Sequence, residues 1–326
     1  MKAFVTGGSG FTGGALCAHL RNRGYEVVAL VRPTSSTTYL RSIGAKLVAG
    51  DMRDVESLRA GMEGVDVAFN IAAAFREAKL SDEQYHAVNV TGARNFVEAA
   101  RAAGVPRVVH CSTIGVHGDT GRTPATEDTR FAPPDYYCKT KVEGELLVRE
   151  LFAKYNMQGA VFRPLGIYGP RDTRFLKLFR GLKHRRFVMI GDGSTLYHMT
   201  YIDDLCHGIE LCATRPEAVG EVFILGGDHH VTLNELIASV ARAVKSSGPR
   251  VRVPMWPVMA AAHVCEAVFK PLGIEPPLYP RRVEFFSKDR AADISKARHM
   301  LGYAPSVGLD EGARRTAQWY AEQQLL

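Results

Sequence analysis

The chain has 326 residues, 46% apolar and 23% charged, which is ordinary for a globular protein and excludes global disorder. No apolar run reaches the ~20 residues that a membrane-spanning helix needs. Lysine and arginine exceed aspartate and glutamate by seven, but the excess is local: seven cations and one acid, Asp172, fall between Arg171 and Arg186. A chain built to hold a long nucleic acid would be basic over a whole face, so no nucleic-acid partner is expected.

Met1–Thr6 runs straight into a glycine loop with no room for a signal peptide, which gives the expectation of a cytoplasmic protein. Short apolar runs at Lys2–Thr6, Glu26–Val31, Lys46–Ala49, Val65–Asn70 and Arg107–Cys111 predict strands covered on both faces. Between them, Phe11–Arg23, Asp54–Met62 and Asp82–Ala103 have helical periodicity. A long helix over Tyr137–Tyr155 and a strand at Gly159–Arg163 follow. This βαβ alternation predicts an α/β fold, a Rossmann-type doubly wound parallel sheet. Beyond Arg163 the pattern loosens. Phe175–Arg185, Asp203–Ala213 and Leu233–Val244 predict helices, Phe187–Ile190 and Val222–Leu225 strands, and Pro254–Pro280 is rich in Pro, Met and aromatics. The expected organisation is a dinucleotide-binding domain over 1–165, rejoined by about 195–230. A smaller, mixed substrate-binding region covers 166–194 and 231–326. Six cysteines without a CxxC pair fit reduced, buried thiols, and His229-His230 has no partners spaced for a metal, so none is expected.

The first strand ends in Thr6-Gly7-Gly8-Ser9-Gly10-Phe11-Thr12-Gly13 and opens a helix. Glycines 7, 10 and 13 permit a tight turn and close approach to a pyrophosphate, whose oxygens the helix N-terminus would hold. Gly7, Ser9, Gly10, Phe11, Thr12 and Gly13 are therefore candidate cofactor residues. The second strand ends in Arg32 where an NAD site usually has an acid; a guanidinium with hydroxyls behind it suits a 2′-phosphate, so NADP is favoured over NAD. Tyr137 and Lys141 stand at i and i+4, on one helical face, where an ammonium favours the phenolate and makes a general acid/base. Ser112 and Thr113 leave the carboxyl end of a central strand, facing the site crevice.

With Gly50-Asp51-Met52-Arg53-Asp54, Asn70-Ile71-Ala72-Ala73, Asn89-Val90-Thr91-Gly92, Arg163-Pro164-Leu165-Gly166-Ile167-Tyr168-Gly169-Pro170, Tyr201-Ile202-Asp203-Asp204 and Ala297–Pro305, these motifs cover nearly the whole chain. It resembles the extended short-chain dehydrogenases/reductases of the NAD-dependent epimerase/dehydratase type. The resemblance implies that Asp51 and Met52 contact adenine and that Ala72 and Ala73 line the phosphate and ribose path. It makes Tyr137 the acid/base and Lys141 the holder of the ribose hydroxyls. Thr113 would bind the reacting oxygen, with Ser112 second, while Pro164 and Ile167 wall the nicotinamide. It also implies a homodimer through the helices at Asp82–Ala103 and Tyr137–Tyr155.

Two departures bear on the substrate. Tyr197 falls where sugar-nucleotide relatives carry an arginine for the diphosphate, and a phenol cannot replace a bidentate cation. Pro254–Phe269 is unusually apolar, resembling the substrate cover of hydroxysteroid-dehydrogenase-like and dihydroflavonol-reductase-like relatives, with Met255 and Trp256 as substrate candidates; a buried capping helix is the other reading. The basic run at 171–186 is expected to be a solvated helix face. The expected function is interconversion of a hydrophobic ketone and alcohol with NADP or NAD, the substrate being a small molecule. The alternatives are a sugar-nucleotide 4-epimerase or dehydratase with tightly held NAD, and a non-catalytic redox sensor, against which the Thr113/Tyr137/Lys141 set argues.

Overall fold

The computed structural model describes residues 1–75, 80–270, 274 and 276–326. The first half is built from β1 (Lys2–Thr6), α1 (Phe11–Asn22), β2 (Glu26–Val31), α2 (Thr38–Ser42), β3 (Lys46–Ala49), α3 (Val55–Gly61), β4 (Val67–Asn70), α4 (Asp82–His86), α5 (Gly92–Ala102), β5 (Arg107–Cys111), α6 (Tyr136–Lys154) and β6 (Gly159–Pro164). Next come β7 (Gly166–Tyr168), α7 (Leu176–Lys183), β8 (Val188–Ile190), β9 (Leu196–Tyr197), β10 (Met199–Tyr201), α8 (Ile202–Thr214), β11 (Val222–Leu225), β12 (Val231–Thr232) and α9 (Leu233–Ala243). The chain closes with β13 (Val251–Val253), α10 (Met255–Phe269), α11 (Pro280–Val283), α12 (Ser295–Leu301) and α13 (Leu309–Glu322).

Among the described residues, the main sheet is parallel, in the order β11-β6-β5-β4-β1-β2-β3. The order reverses between β1 and β4, which opens a crevice at their carboxyl ends. Its two faces explain the nearly continuous apolar strands. One packs Leu16, Cys17 and Leu20 of α1 and Leu205 and Ile209 of α8 against Phe69 and Phe162. The other packs Leu58, Phe96, Val97, Val148 and Leu151 against Phe4 and Val161. Short strand pairs β7–β10, β9–β12 and β8–β13 lie outside the main sheet.

The single helix expected over Asp82–Ala103 is interrupted. A π turn, Ala87–Thr91, separates α4 from α5. Asn89 in that turn is buried and spends its carboxamide on neighbours, while Gly144 of α6 approaches the Asn89 carbonyl too closely to tolerate a Cβ. The α2 helix and the short strands β7, β9, β10, β12 and β13 carry too few residues for periodicity to reveal them. The expected strand at Val65–Asn70 begins at Val67.

Candidate active site

Gly7 has φ +70°, and a Cβ there would lie 2.9 Å from the backbone N and Cα of Ala72. A Cβ on Gly13 would overlap the Gly7 carbonyl oxygen. The turn therefore passes directly beneath the end of β4, as a phosphate loop must. Gly10 caps α1 with no side-chain acceptor, and the first turn holds no acid. Its leading N–H groups and the positive end of the helix are thus left for an anionic phosphate. The loop and helix fit a dinucleotide's pyrophosphate.

Three strand ends are tied together beside this loop. Thr6 Oγ1 donates to Asn70 Oδ1 at 3.0 Å and accepts from the N–H groups of Ile71 and Ala72, each at 3.1 Å. Asn70 Nδ2 meets His110 Nδ1 at 3.1 Å. These buried bonds fix the path of Ile71-Ala72-Ala73. Asn89 extends the brace: Oδ1 accepts from Ala74 N–H at 2.9 Å, and Nδ2 donates to Thr140 Oγ1 at 3.0 Å. Thr140 Oγ1 donates to Tyr137 O. One asparagine thus joins the loop after β4 to the helix carrying Tyr137.

Asp135 caps α6 by accepting from Cys138 N–H at 2.7 Å. The helix lies across the end of β5. Tyr137 is buried, with its ring edge-on to Phe75 at 5.1 Å. Lys141 is buried and its Nζ donates to Cys111 O at 2.6 Å. Burial holds the Lys141 ammonium below its ordinary range and raises the Cys111 thiol to about 11. His110 is driven well below 6.5 by burial and then by Lys141, so it stays a neutral ring. Thr113 Oγ1 accepts from Gly115 N–H at 3.2 Å, and Gly115 stands so near α6 that a Cβ would be 3.0 Å from Cys138 Sγ. Ser112 is buried. The hydroxyl pair and the Tyr137–Lys141 turn therefore share one corner of the crevice. One turn further along α6, Glu145 forks onto buried Arg163 at 2.5 and 3.0 Å, anchoring the helix to β6.

Comparison with known proteins identifies the family. The model of the "NAD dependent epimerase/dehydratase family" matches residues 3–226. The chain belongs to that family. It is an NAD-dependent oxidoreductase of the extended short-chain dehydrogenase/reductase type. It is 32% identical, over 96% of its length and 94% of the relative's, to a 4-hydroxy-2-methyl-3-oxo-4-farnesyl-3,4-dihydroquinoline-1-oxide ketoreductase of Stigmatella aurantiaca. A 2-alkyl-3-oxoalkanoate reductase of Stenotrophomonas maltophilia is also 32% identical, over 97% of this chain and 98% of the relative. Among solved structures, gox2253 matches with TM-score 0.85 and 27% identity over 99% of both chains. A UDP-glucuronic acid 4-epimerase from Bacillus cereus in complex with NAD matches at TM-score 0.77 and 24% identity over 99% of both, a likeness of fold.

In this epimerase/dehydratase-family enzyme, Arg32 is exposed just beyond β2. Its positive field reaches Asp51, whose carboxylate is held below its ordinary range chiefly by hydrogen bonds from Arg53. Met52 is buried beneath Asp51, Pro164 is buried at the end of β6, and Ile167 is half-buried on β7. Ser9 and Thr12 lie in the glycine turn and at the start of α1.

Tyr197 stands in surroundings the sequence did not foresee. It is buried, its hydroxyl donates to Phe285 O, and Arg290 Nη1 donates to that hydroxyl at 2.7 Å. A cation from 93 residues away therefore stands where none was expected. The guanidinium also donates to Lys288 O at 3.2 Å and Glu284 O at 3.4 Å. The basic run at 171–186 also departs from a solvated face at its start. Arg171, with φ +75°, lays its guanidinium 3.2 Å over the Tyr39 ring, beside Gly14 of α1. Arg174 forks onto Asp172 and lies over the ring of Phe11 in the glycine loop. Met255 rests near Gly191, whereas Trp256 is 76% exposed. In Met255–Phe269 only Ala262 is buried, which removes the buried-cap reading of that helix. Residues 271–273 and 275 of the Pro254–Pro280 stretch lie outside the described residues.

Sequence reasoning gave no role to Thr6, Asn70, Asn89 or His110. Asn70 and Asn89 lay inside quoted motifs, and a polar residue at the end of an otherwise apolar strand was the available signal. On the far side of α1, His19 Nε2, His207 and Glu210 bring ligand-type atoms within 4.8 Å of one another, but Glu210 already takes His19 at 2.8 Å and Arg23 at 3.3 Å.

Proposed function

We propose that this enzyme reduces a hydrophobic ketone, or oxidises the corresponding alcohol, with NADP preferred over NAD. The observation that carries the reading is α6 lying across the end of β5, with Lys141 tied to Cys111 O and the Thr113 turn against Cys138. The glycine loop would hold a nicotinamide coenzyme, which when bound would supply or accept the hydride at the carbonyl carbon. Tyr137 gives its phenolic proton to the carbonyl oxygen in reduction and takes it back in oxidation. Lys141 holds the ribose hydroxyls, and its ammonium favours the phenolate left behind. Thr113 Oγ orients the reacting oxygen, with Ser112 beside it. Asp51 and Met52 receive the adenine, and Arg32 meets the 2′-phosphate through charge-assisted hydrogen bonds. Pro164 and Ile167 wall the nicotinamide.

The hydrophobic substrate is supported by two relatives whose names specify an alkylated oxoalkanoate and a farnesylated oxo-quinoline. Met255 and Trp256 would contribute to the approach of such a substrate. A homodimer through α4, α5 and α6 is supported by Leu146, which is 48% exposed on α6. A sugar-nucleotide epimerase is the second reading, favoured by Arg290 beside Tyr197. Against it, the same guanidinium is spent on a phenol and two backbone carbonyls.

Coenzyme consumption separates the two. A 2-alkyl-3-oxoalkanoate with NADPH is expected to give a fall in absorbance at the nicotinamide band, and UDP-glucose no epimer. Epimer formation without net coenzyme consumption, and no ketone reduction, would replace the first reading by the second.

A further inference from the structure

Eleven large apolar side chains are exposed among the described residues, and four of them, Trp256, Val264, Val268 and Ile274, fall on α10 and just beyond it. Val251 and Val188, paired side by side in β13 and β8, are also exposed where that strand leads into the helix. α10 has 15 residues and one charged side chain, Glu266. Val264 is 64% and Val268 54% exposed. Apart from His263 and Glu266 the helix is apolar, and among the described elements it packs chiefly against the single turn α11. Burying such surface is worth about 25 cal/mol per Å², so leaving it in water is costly. A cluster of this kind marks a binding surface.

Charge decides what it binds. Lys245, Arg250 and Arg252 precede the helix, and no acid occurs from Lys245 to Cys265. Among the described residues Arg252 donates to Asp192 O and Asn234 Oδ1, neutral acceptors that leave its charge intact. Lys183, Arg185 and Arg186 lead, exposed, into β8, which pairs with β13. Lys270, 4.0 Å from Glu266, closes the far end. A second copy of the chain would bring these cations against their own kind. An anionic lipid surface accepts both the charge and the apolar helix.

We propose that α10 and its cationic lead dock this protein on an anionic phospholipid surface, with the helix in the boundary between headgroups and acyl chains. At 1.5 Å per residue the helix is roughly 22 Å long, short of the ~30 Å hydrocarbon core, so it lies on the bilayer. No helix among the described residues is long and apolar enough to cross a membrane. Trp256, in the first turn, has the amphipathic ring that partitions to this boundary. The inference needs neither the substrate nor the coenzyme of the reading above, although a lipid-dissolved ketone would be delivered by the same contact.

The test is sedimentation of the full chain with extruded vesicles of phosphatidylcholine alone, or of phosphatidylcholine with phosphatidylglycerol. Binding to the anionic vesicles is expected, weakened about tenfold or more by high salt and on neutral vesicles. Tryptophan emission should shift to the blue on binding, and Trp256→Phe should remove the shift. The double variant Val264→Ser, Val268→Ser and the single Arg250→Glu should each lose about tenfold or more in partitioning, at an unchanged melting temperature. No binding to either vesicle, or binding that the double variant leaves intact, overturns the proposal. So does sedimentation equilibrium showing a dimer that the double variant dissociates, which would make a second copy the occupant.

Discussion

The crevice and α10 are both apolar in sequence, yet they meet opposite fates. Around the crevice, β1, β4, β5 and β6 are covered on both faces, and Thr6, Asn70 and His110 at the ends of β1, β4 and β5 are bonded to one another. On α10 a stretch of comparable apolarity leaves Ala262 as its one buried residue. Composition sets how much surface a segment would shed, whereas the neighbours supplied by the rest of the chain set how much it does shed. The corner of the crevice owes its order to buried polar bonds inside a packed sheet. The helix leaves Trp256, Val264 and Val268 exposed.

That contrast can be broken most severely at Glu145. Its carboxylate and Arg163 are both fully buried, and Glu145→Ala leaves a buried guanidinium unpaired. A loss of about 3–5 kcal/mol is expected in urea unfolding, with α6 and Tyr137 loosened. A loss below 1 kcal/mol would mean that water reaches Arg163. Next comes Tyr137→Phe, expected to lower kcat by ~10²-fold or more at unchanged coenzyme affinity. Near wild-type turnover would remove Tyr137 from the proton transfer.

Arg32→Asp should reverse the order of NADP(H) and NAD(H) binding in calorimetry. One charge-assisted contact to phosphate is worth about 1.5–3 kcal/mol, tenfold or more in affinity. Tighter NAD binding by the wild type would instead leave Arg32 pointing to solvent.

The pH dependence tests the same buried half. His110 and His117 are both depressed by burial from an ordinary 6.5, and His117 accepts from Arg163 Nη1 at 3.1 Å. The unfolded chain takes up these protons near 6.5 while the folded chain does not. Stability is therefore full above 6.5 and falls as the pH drops below it, by up to about 1.4 kcal/mol per unit for each histidine. Unfolding midpoints measured across that range should show the decline, and His117→Gln should make it shallower. The smallest effect belongs to α10: Val264→Ser should change stability by less than about 0.5 kcal/mol. Val109→Ser, at a fully buried position in β5, should cost several-fold more. Equal costs would mean that α10 is covered in solution.

The sequence alone determined the sheet, its parallel sense and the glycine loop. A parallel strand buried on both faces has to be continuously apolar, and a loop passing under Ala72 has to lack side chains. It also determined that Tyr137 and Lys141 share a helical face, because four residues bring a helix back to the same side. What lay beyond local spacing was decided in three dimensions. The bond from Lys141 to Cys111 O spans 30 residues, that from Asn89 to Thr140 spans 51, and that from Arg290 to Tyr197 spans 93. The π turn at Ala87–Thr91 likewise follows from Asn89 and the close approach of Gly144, neither of which leaves a mark on periodicity. Local sequence encodes element type through patterns of a few residues. Which polar group meets which, and whether an apolar helix finds cover, depends on contacts between segments that only the completed packing brings together.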